Sequence, residues 1–579
     1  VTTAAVRIRP KARWLLPKAP DTEVVARLEE ALRLPTAIAR LLAARGFGAP
    51  DEAKAYLRPR LEQLHEPACL MDLDRAVDRL VRALRDGETI LVHGDYDVDG
   101  IASTTIMVKT LIASGGIAIP FIPRRLEDGY DLTDAGVREA RRVGATLVVT
   151  CDCGTSAVGP IAELQAGGID VIVTDHHLPG GPLPPAYAIL NPKRPGCMSP
   201  DKDLAAVGVA FKLSLALTRT VGGNENMVYG MLDLVALATI ADVAPLKGEN
   251  RVFVRYGLKL LNDSQRPGIR AMIRAAGLEA KALTAGRISF ILAPRLNAAG
   301  RLGSALRGVE LLMASSDADA NPIARELEEL NARRQEIDRE TLERARQLVQ
   351  AMDLGSTFGI VLAEQGWHAG VIGIVASRIV EEFGRPAVLI ALEGSQGKGS
   401  GRSISAFDLH GGLKECSDLL LRFGGHRQAA GVTISADRVA EFAARFNAVA
   451  CAHLTEHDLV PELRVDMEVP FDEINEELES LMRHMEPCGM GNPSPLLVSR
   501  GVTVGAPPRV IGKDGLKLLL HHNGREITAI GWGMAARARE IQVGAVLDVA
   551  FRLERDEYQG ESRLQARLSD FTRVDTVAA

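Results

Sequence analysis

Three apolar runs in this chain stop at acidic clusters: TILV at 89–92, TLVVT at 146–150 and VIVT at 171–174. No other feature constrains the fold as much. The first run continues as HGDYDVDG, with His93, Asp95, Asp97 and Asp99 at every second position. In an extended chain those four side chains point the same way. Carboxylates on one face repel each other and resist burial, so something positive must offset them, and a metal ion is the obvious candidate. The second run delivers Asp152 and the third Asp175, His176 and His177. A fourth apolar run, LVALATIADV, reads as helical and ends at Asp242.

From 88 to about 250, short apolar runs alternate with helical patterns, which is the syntax of βαβ units and a mostly parallel sheet. Ligands of such sheets bind beyond the carboxyl ends of the strands. If the three strands are neighbours, five or six carboxylates and up to three histidines converge there. One metal cannot use so many ligands. Two can, ~3.5–4 Å apart, the arrangement suited to phosphoester hydrolysis. Oxygen-rich sites with one or two imidazoles suit Mn²⁺ or Mg²⁺. Each cluster alone has a plainer reading. Asp152 can cap a helix before Gly154 and Thr155. DHH can be a capped turn, and Asp242 can cap a turn before Pro245. DYDVDG also opens like an EF-hand loop, but position twelve is Ile106 and a strand precedes it. Joint occurrence in one α/β unit favours the metal site.

LDRAVDRLVRALRDG, 73–87, predicts an amphipathic helix ended by Gly87. Residues 1–45 read as a loosely patterned extension. SSDADANP, 315–322, breaks the pattern before a long charged helix over 323–352, with Ile323, Leu327, Leu330 and Ile337 as its stripe. A second α/β lobe follows with GIVLA and PAVLIAL. The last ~120 residues are short strands separated by turn residues, a small β-barrel. The expected domains are 1–45 (extension), 46–320 (catalytic), 321–354 (connecting helix), 355–456 (second lobe) and 457–579 (barrel).

The 579 residues are 46% hydrophobic and 25% charged, as in soluble globular proteins. Seven scattered cysteines without C-x-x-C argue for reduced thiols and against structural zinc. Cys151 and Cys153, beside Asp152, read as packing residues. There is no run of ~18 apolar residues for a membrane helix. VTTAAVRIRPKARWLLPKAP lacks the apolar core of a signal peptide, so a cytoplasmic location is expected. With a net charge of −6, any nucleic-acid site must be a local basic groove.

GDYDVDG, VTCDCG, TDHH and IADVAPL, in that order, resemble the DHH phosphoesterase superfamily. RLNAAGR (295–301), GWHAGVIGIVASR (366–378), GKGSGRS (397–403) and GGHRQAAG (424–431) narrow the resemblance to the RecJ family of bacterial single-strand-specific 5′→3′ DNA exonucleases. It runs from about residue 45 onward. It implies a DHH lobe with a parallel sheet, a DHHA1-like second lobe and a terminal OB-fold. It also implies roles. Asp97 and Asp99 match the D-x-D metal ligands, with Asp152, His176 and Asp242 completing a two-metal site for Mn²⁺ or Mg²⁺. His177 matches the second histidine near the scissile phosphate. Asp95 and His93 rank behind these.

A 5′ exonuclease must recognise a chain end, and guanidinium forks match phosphate oxygens. By resemblance, Ser400, Arg402, Arg301 and either Arg124 or Arg125 fit that task; the plainer reading of any one arginine is a solvated charge. The glycines around SGRS are expected to ease backbone approach to phosphate. His426 in its glycine turn contacts the nucleotide or packs within the turn. WHAG precedes a helix near Val371, whose N-terminus offers N–H groups to phosphate, unless the glycine is a simple entry turn. In the barrel, Trp532 and Tyr558 are the plausible base-stacking residues, with Phe551 and Phe571 assigned to the core. Few aromatics predict modest affinity and marked salt sensitivity. The connecting helix is expected to leave a cleft that admits one strand.

The expected function is therefore a single-stranded-DNA-specific 5′→3′ exonuclease of recombination and repair. Its expected partners are a helicase and a single-strand-binding protein; it should act as a monomer, without a membrane. The rivals are a DHH phosphodiesterase acting on short oligonucleotides or cyclic dinucleotides and a non-catalytic single-strand-binding scaffold. The latter should have lost ligands, which are all present here.

Overall fold

The computed structural model describes residues 12–125, 127–278, 283–558 and 561–574. They form two compact units. One contains Pro59–Thr341 and Pro487–Pro493; the other contains residues up to Arg58, Leu342–Glu486 and the residues from Ser494 on.

The first unit is built on a five-stranded sheet of β1 (Thr89–Gly94), β2 (Ile117–Phe121), β3 (Leu147–Cys151), β4 (Asp170–Thr174) and β5 (Ala188–Leu190), in the order β2-β1-β3-β4-β5. Every pairing is parallel. Ile90, Val92, Leu147, Val149 and Ile172 face one apolar core and Leu91, Val148, Val171 and Val173 another. Apolar residues on both faces explain why these strands read as unbroken apolar runs rather than alternating ones. The expected amphipathic helix forms over Leu73–Asp86 and is closed by Gly87 in a left-handed cap. Helices α1 (Val98–Ala113), α2 (Ala206–Thr220), α3 (Leu232–Ala241) and α4 (Ala293–Leu302) contribute to the first core.

The long helix α5 spans Asp317–Gln350 and includes Pro322. SSDADANP therefore does not break the pattern but begins the helix. Ser316 accepts from Ala320 N–H, and the proline falls in the second turn, where it removes one hydrogen bond.

In the second unit, β6 (Ile360–Gln365), β7 (Ala387–Glu393), β8 (Gln396–Arg402), β9 (Arg422–Gly425) and β10 (Ala429–Ser435) form a sheet in the order β9-β10-β8-β7-β6. Helix α6 (Ile372–Phe383) packs on β7 and β8. A seven-stranded sheet follows, in which Leu497–Val504 pairs with both Val546–Tyr558 and Gly515–His522 and so closes a barrel. Phe551 and Phe571 lie in its core, as expected.

The N-terminal residues differ from expectation. Helices Thr22–Leu32, Thr36–Ala44 and Pro50–Leu57 pack Leu28, Ile38, Leu41 and Leu42 into the barrel's core. Their apolar faces are short, and the partner that completes them lies more than 400 residues away, as Arg45 bonded to Asp466 illustrates at 2.9 Å. That partner is invisible in the local pattern.

Candidate metal centre and phosphate-binding strand

The register of the first sheet brings its acidic ends together. Gly94 stands beside Cys151, and Cys151 beside Thr174. The ladder continues one residue further: Asp95 N–H bonds Cys151 O at 3.2 Å, Asp152 N–H bonds Thr174 O at 2.9 Å and Asp175 N–H bonds Leu190 O at 3.0 Å. Asp95, Asp152 and Asp175 thus leave the sheet side by side.

The expectation that His93, Asp95, Asp97 and Asp99 share one face through strand alternation is corrected. The strand ends at Gly94 and the chain turns into α1. Asp97 is the N-cap, its Oδ1 accepting from Asp99 N–H at 2.9 Å and Gly100 N–H at 3.2 Å. Asp99 lies in the first helical turn, where its carboxylate accepts from Ala206 N–H at 2.8 Å and Val207 N–H at 2.9 Å. A side chain on Gly100 would strike the backbone of Asp95, so the glycine of D-x-D-G is needed for the helix to start this close to the strand end.

Three groups of ligand atoms lie within 4.8 Å of one another: Asp152, His176 and His177; Asp99, His176 and Asp242; and Asp95, Asp97 and Asp152. His176 Nε2 lies 3.3 Å from Asp152 Oδ1, 3.8 Å from Asp242 Oδ2 and 3.9 Å from Asp99 Oδ2. Burial and the neighbouring Asp97 charge push the Asp99 carboxyl up to about 7. Burial, then Asp99 and Asp97, push Asp242 up to about 8. Burial and the neighbouring carboxylates also raise Asp95 and Asp152 well above the ordinary carboxylate range. Burial and then His177 lower His176 to about 3. Protein groups alone thus leave this cluster short of positive charge. Asp95 Oδ1, Asp152 Oδ1 and His176 Nε2 are buried without a hydrogen-bond partner. Buried carboxylates and a neutral imidazole without donors are a donor set fitted to divalent cations.

Asp175 received no role from the sequence. It accepts from His176 N–H, His177 N–H and Thr155 N–H, and its Oδ1 lies 2.7 Å from His177 Nδ1. Burial works against its charge, yet the hydrogen bond from His177 holds it below the usual carboxylate range. Burial also works against His177 as a cation, but Asp175 raises it to about 9. Tyr130, also missed, places its hydroxyl 3.2 Å from His177 Nε2. The only signal for Asp175 was its place inside DHH.

His93 does not join the three groups. It is fully buried, packed on Phe121 with ring centroids 5.4 Å apart and facing Gly136, with Nδ1 3.5 Å from Cys153 Sγ. Cys151 and Cys153 are buried packing residues.

Beside the carboxylates, Asp95, Asp97, Arg125, Tyr130, Asp242 and Arg301 line a cavity of about 320 Å³. Arg125 also stacks on Tyr96, 4.8 Å from the ring centroid. Arg124 points elsewhere and pairs with Glu127 at 3.0 Å. Of the two arginines, Arg125 is the one beside the acidic cluster.

Ser400 and Arg402 lie on β8, where residues alternate between faces. The expected use of its glycines is corrected. Side chains at Gly397, Gly399 and Gly401 would strike Ile390, Val432 and Leu409, so these glycines admit the apolar core. The opposite face carries Lys398, Ser400 and Arg402. A methyl on Gly373, in the first turn of α6, would lie 2.9 Å from Ser400 Oγ and 3.1 Å from Arg402 Nη2. A helix start, a hydroxyl and a guanidinium thus converge, as in anion sites. Arg402 pairs in register with Ala429, whose carbonyl accepts from His426 N–H at 2.8 Å. The exposed His426 turn is therefore at the Arg402 end of the sheet. In the barrel, Trp532 is 52% exposed. Tyr558 ends a strand, but its side chain lies outside the described residues.

Among the described residues no helix is long and apolar enough to cross a membrane. The DHH family N-terminal domain matches residues 89–239, the DHHA1 domain 356–451 and the RecJ OB domain 465–570. The Bacillus subtilis (strain 168) single-stranded-DNA-specific exonuclease RecJ is 35% identical over 563 residues, 97% of this chain and 71% of that protein. The crystal structure of RecJ in complex with Mn²⁺ from Thermus thermophilus matches with a TM-score of 0.84 at 33% identity, covering 98% of this chain and 80% of that one. The Mg²⁺ complex of the same protein matches at 0.78 and 31% identity, covering 97% and 78%. A buried donor set for divalent cations, on a chain similar along nearly its whole length to metal-bound RecJ, makes this protein a member of the RecJ family of single-stranded-DNA-specific exonucleases.

Proposed function

We propose that this chain degrades single-stranded DNA in the 5′→3′ direction by two-metal hydrolysis of the phosphodiester bond. The observation that carries the reading is the convergence of three ligand groups at one sheet edge. Asp97, Asp99, Asp152, His176 and Asp242 hold the cations, with Asp95 supporting them. When bound, the cations supply Lewis-acid stabilisation of the phosphodiester and of the charge that develops as water attacks. Asp175 accepts the hydrogen bond from His177 Nδ1 and so fixes the ring and favours its protonated form. His177 Nε2 is left to Tyr130 and to the substrate. Arg125 and Arg301, beside the carboxylates, bind backbone phosphate of the strand being cut.

End recognition is assigned to the second sheet. Ser400, Arg402 and the first turn of α6 bind a terminal 5′ phosphate, and His426 contacts the end nucleotide. Trp532 stacks a base further along the strand. On this reading the enzyme works in the cytoplasm as a monomer, on strands opened by a helicase and kept accessible by a single-strand-binding protein. The net negative charge of the chain supports a local basic groove rather than general DNA affinity.

A denaturing-gel time course tests polarity. The substrate is a 5′-phosphorylated single strand labelled at its 3′ end, with Mn²⁺, and a blunt duplex is the control. Stepwise shortening of the labelled single strand, with the duplex intact, is expected. Immediate release of the label as mononucleotide would mean digestion from the 3′ end and would remove the role given to Ser400 and Arg402.

A further inference from the structure

Pro487–Pro493 come from the C-terminal part of the sequence yet pack within the unit that carries the acidic sheet edge. This segment, PCGMGNP, folds on itself. Gly489 and Asn492 exchange backbone hydrogen bonds of 2.9 and 3.2 Å. Buried Asn492 donates from Nδ2 to Pro487 O at 2.8 Å, and buried Arg251 donates to the same carbonyl at 3.2 Å. The tightened turn presents Met490 O to Leu246 N–H at 2.7 Å. The contact is flush. A methyl on Gly491, itself at φ +70°, would lie 3.1 Å from Pro245 Cβ, and one on Gly489 2.8 Å from Leu246 Cδ1.

The loop that this turn grips carries Asp242, and it is strained. Val243, the next residue, has φ 60° with its side chain 52% exposed. A β-branched residue in the left-handed region is a genuine outlier and persists only where its surroundings over-determine it. On the helix side, Asp242 N–H bonds Ala238 O at 2.8 Å and Ala244 N–H bonds Thr239 O at 3.2 Å. Asn250 Nδ2 holds Pro245 O at 3.1 Å. Met490 O then fixes the loop at Leu246.

We propose that the Pro487–Pro493 turn is a positioning element for the metal centre: it holds the strained 242–246 loop and so fixes the Asp242 carboxylate beside Asp99 and His176. The proposal rests on the reading of Asp242 as a metal-holding group. Neither Met490 nor Asn492 touches the centre. Both act through the loop.

The test is Mn²⁺ binding to the full chain without DNA, followed by the electron paramagnetic resonance of free Mn²⁺. Wild type is compared with Asn492→Ala, Asn492→Ala/Val243→Asn and Asp242→Asn, with thermal melting of each metal-free protein. Asn492→Ala is expected to weaken Mn²⁺ binding about tenfold, as outer-shell changes do, with little change in melting. Val243→Asn is expected to recover much of the loss, because asparagine tolerates the left-handed region. If Asn492→Ala fails to fold, Gly491→Ala, which presses on Pro245, carries the same expectation. Weakened binding in Asp242→Asn with wild-type binding in the turn variant overturns the turn's role alone. Wild-type binding in Asp242→Asn overturns the ligand reading and the turn's role with it. A loss that Val243→Asn does not relieve shows that the effect does not pass through the loop, and overturns the proposal.

Discussion

The sheet of 89–190 ends in carboxylates and imidazoles, while the sheet of 360–435 presents Lys398, Ser400 and Arg402 from a single strand. Both are α/β sheets of five strands, and they collect opposite charge by different means. In the first, strand register aligns three strand ends, and burial disfavours the charged form of the carboxylates gathered there. In the second, alternation along one strand separates glycines that admit the core from polar groups that face a helix start. The first arrangement is suited to breaking a phosphodiester bond and the second to holding a phosphate.

The comparison predicts unequal consequences of mutation. Asp97→Ala or Asp152→Ala removes a cation-holding group worth several kcal/mol in the transition state, so kcat in Mn²⁺ should fall at least ~10³-fold. Arg402→Ala should act on binding, raising KM for 5′-phosphorylated strands by ~10–100-fold with kcat nearly kept, since a hydrogen bond to a charged group is worth about 1.5–3 kcal/mol. It should also abolish discrimination between phosphorylated and hydroxyl 5′ ends. Equal losses of kcat in both variants would break the division of labour. Trp532→Ala should cost least, ~1–3 kcal/mol of affinity for long strands at most. Unchanged affinity for a long strand would take Trp532 out of strand tracking.

Charge also sets a pH effect on the metal-free protein. Asp99 and Asp242 take up protons on folding, with native values about 7 and about 8 against the ordinary 3.8. Where the native state binds more protons than the unfolded one, stability falls as pH rises. His176 and His93, lowered to about 3 and about 4, work the other way, but only below their ordinary 6.5. His177, raised to about 9, adds to the carboxylates above 6.5, so between pH 6.5 and 8 these groups decide, and melting without metal should drop by at least ~2 °C. Mn²⁺ should reverse the slope, because it binds the ionised carboxylates.

The sequence made the first sheet legible because buried parallel strands are continuous apolar runs and their ends carry the chemistry. It misled about Asp97 and Asp99, because alternation assumes a strand that in fact ends at Gly94. Their convergence comes instead from a helix cap and a first turn. His93 looked like a ligand by the same alternation, but it lies outside the three ligand groups and packs on Phe121. Asp175 went without a role because its work is done on His177 through a hydrogen bond that spacing does not reveal. The glycines of β8 were misjudged because the residues that fill their space, Ile390, Val432 and Leu409, come from other elements. The N-terminal helices were missed for a related reason: their apolar faces are completed by the barrel far along the chain.

If the acidic sheet edge holds two cations, it does so through shared groups, since Asp152 belongs to two of the three ligand clusters. Titration calorimetry of Mn²⁺ into wild type and Asp152→Asn tests it most directly. Two Mn²⁺ per wild-type chain are expected, with loss of both high-affinity events in the variant. One Mn²⁺ per wild-type chain, or unchanged binding in Asp152→Asn, would contradict it.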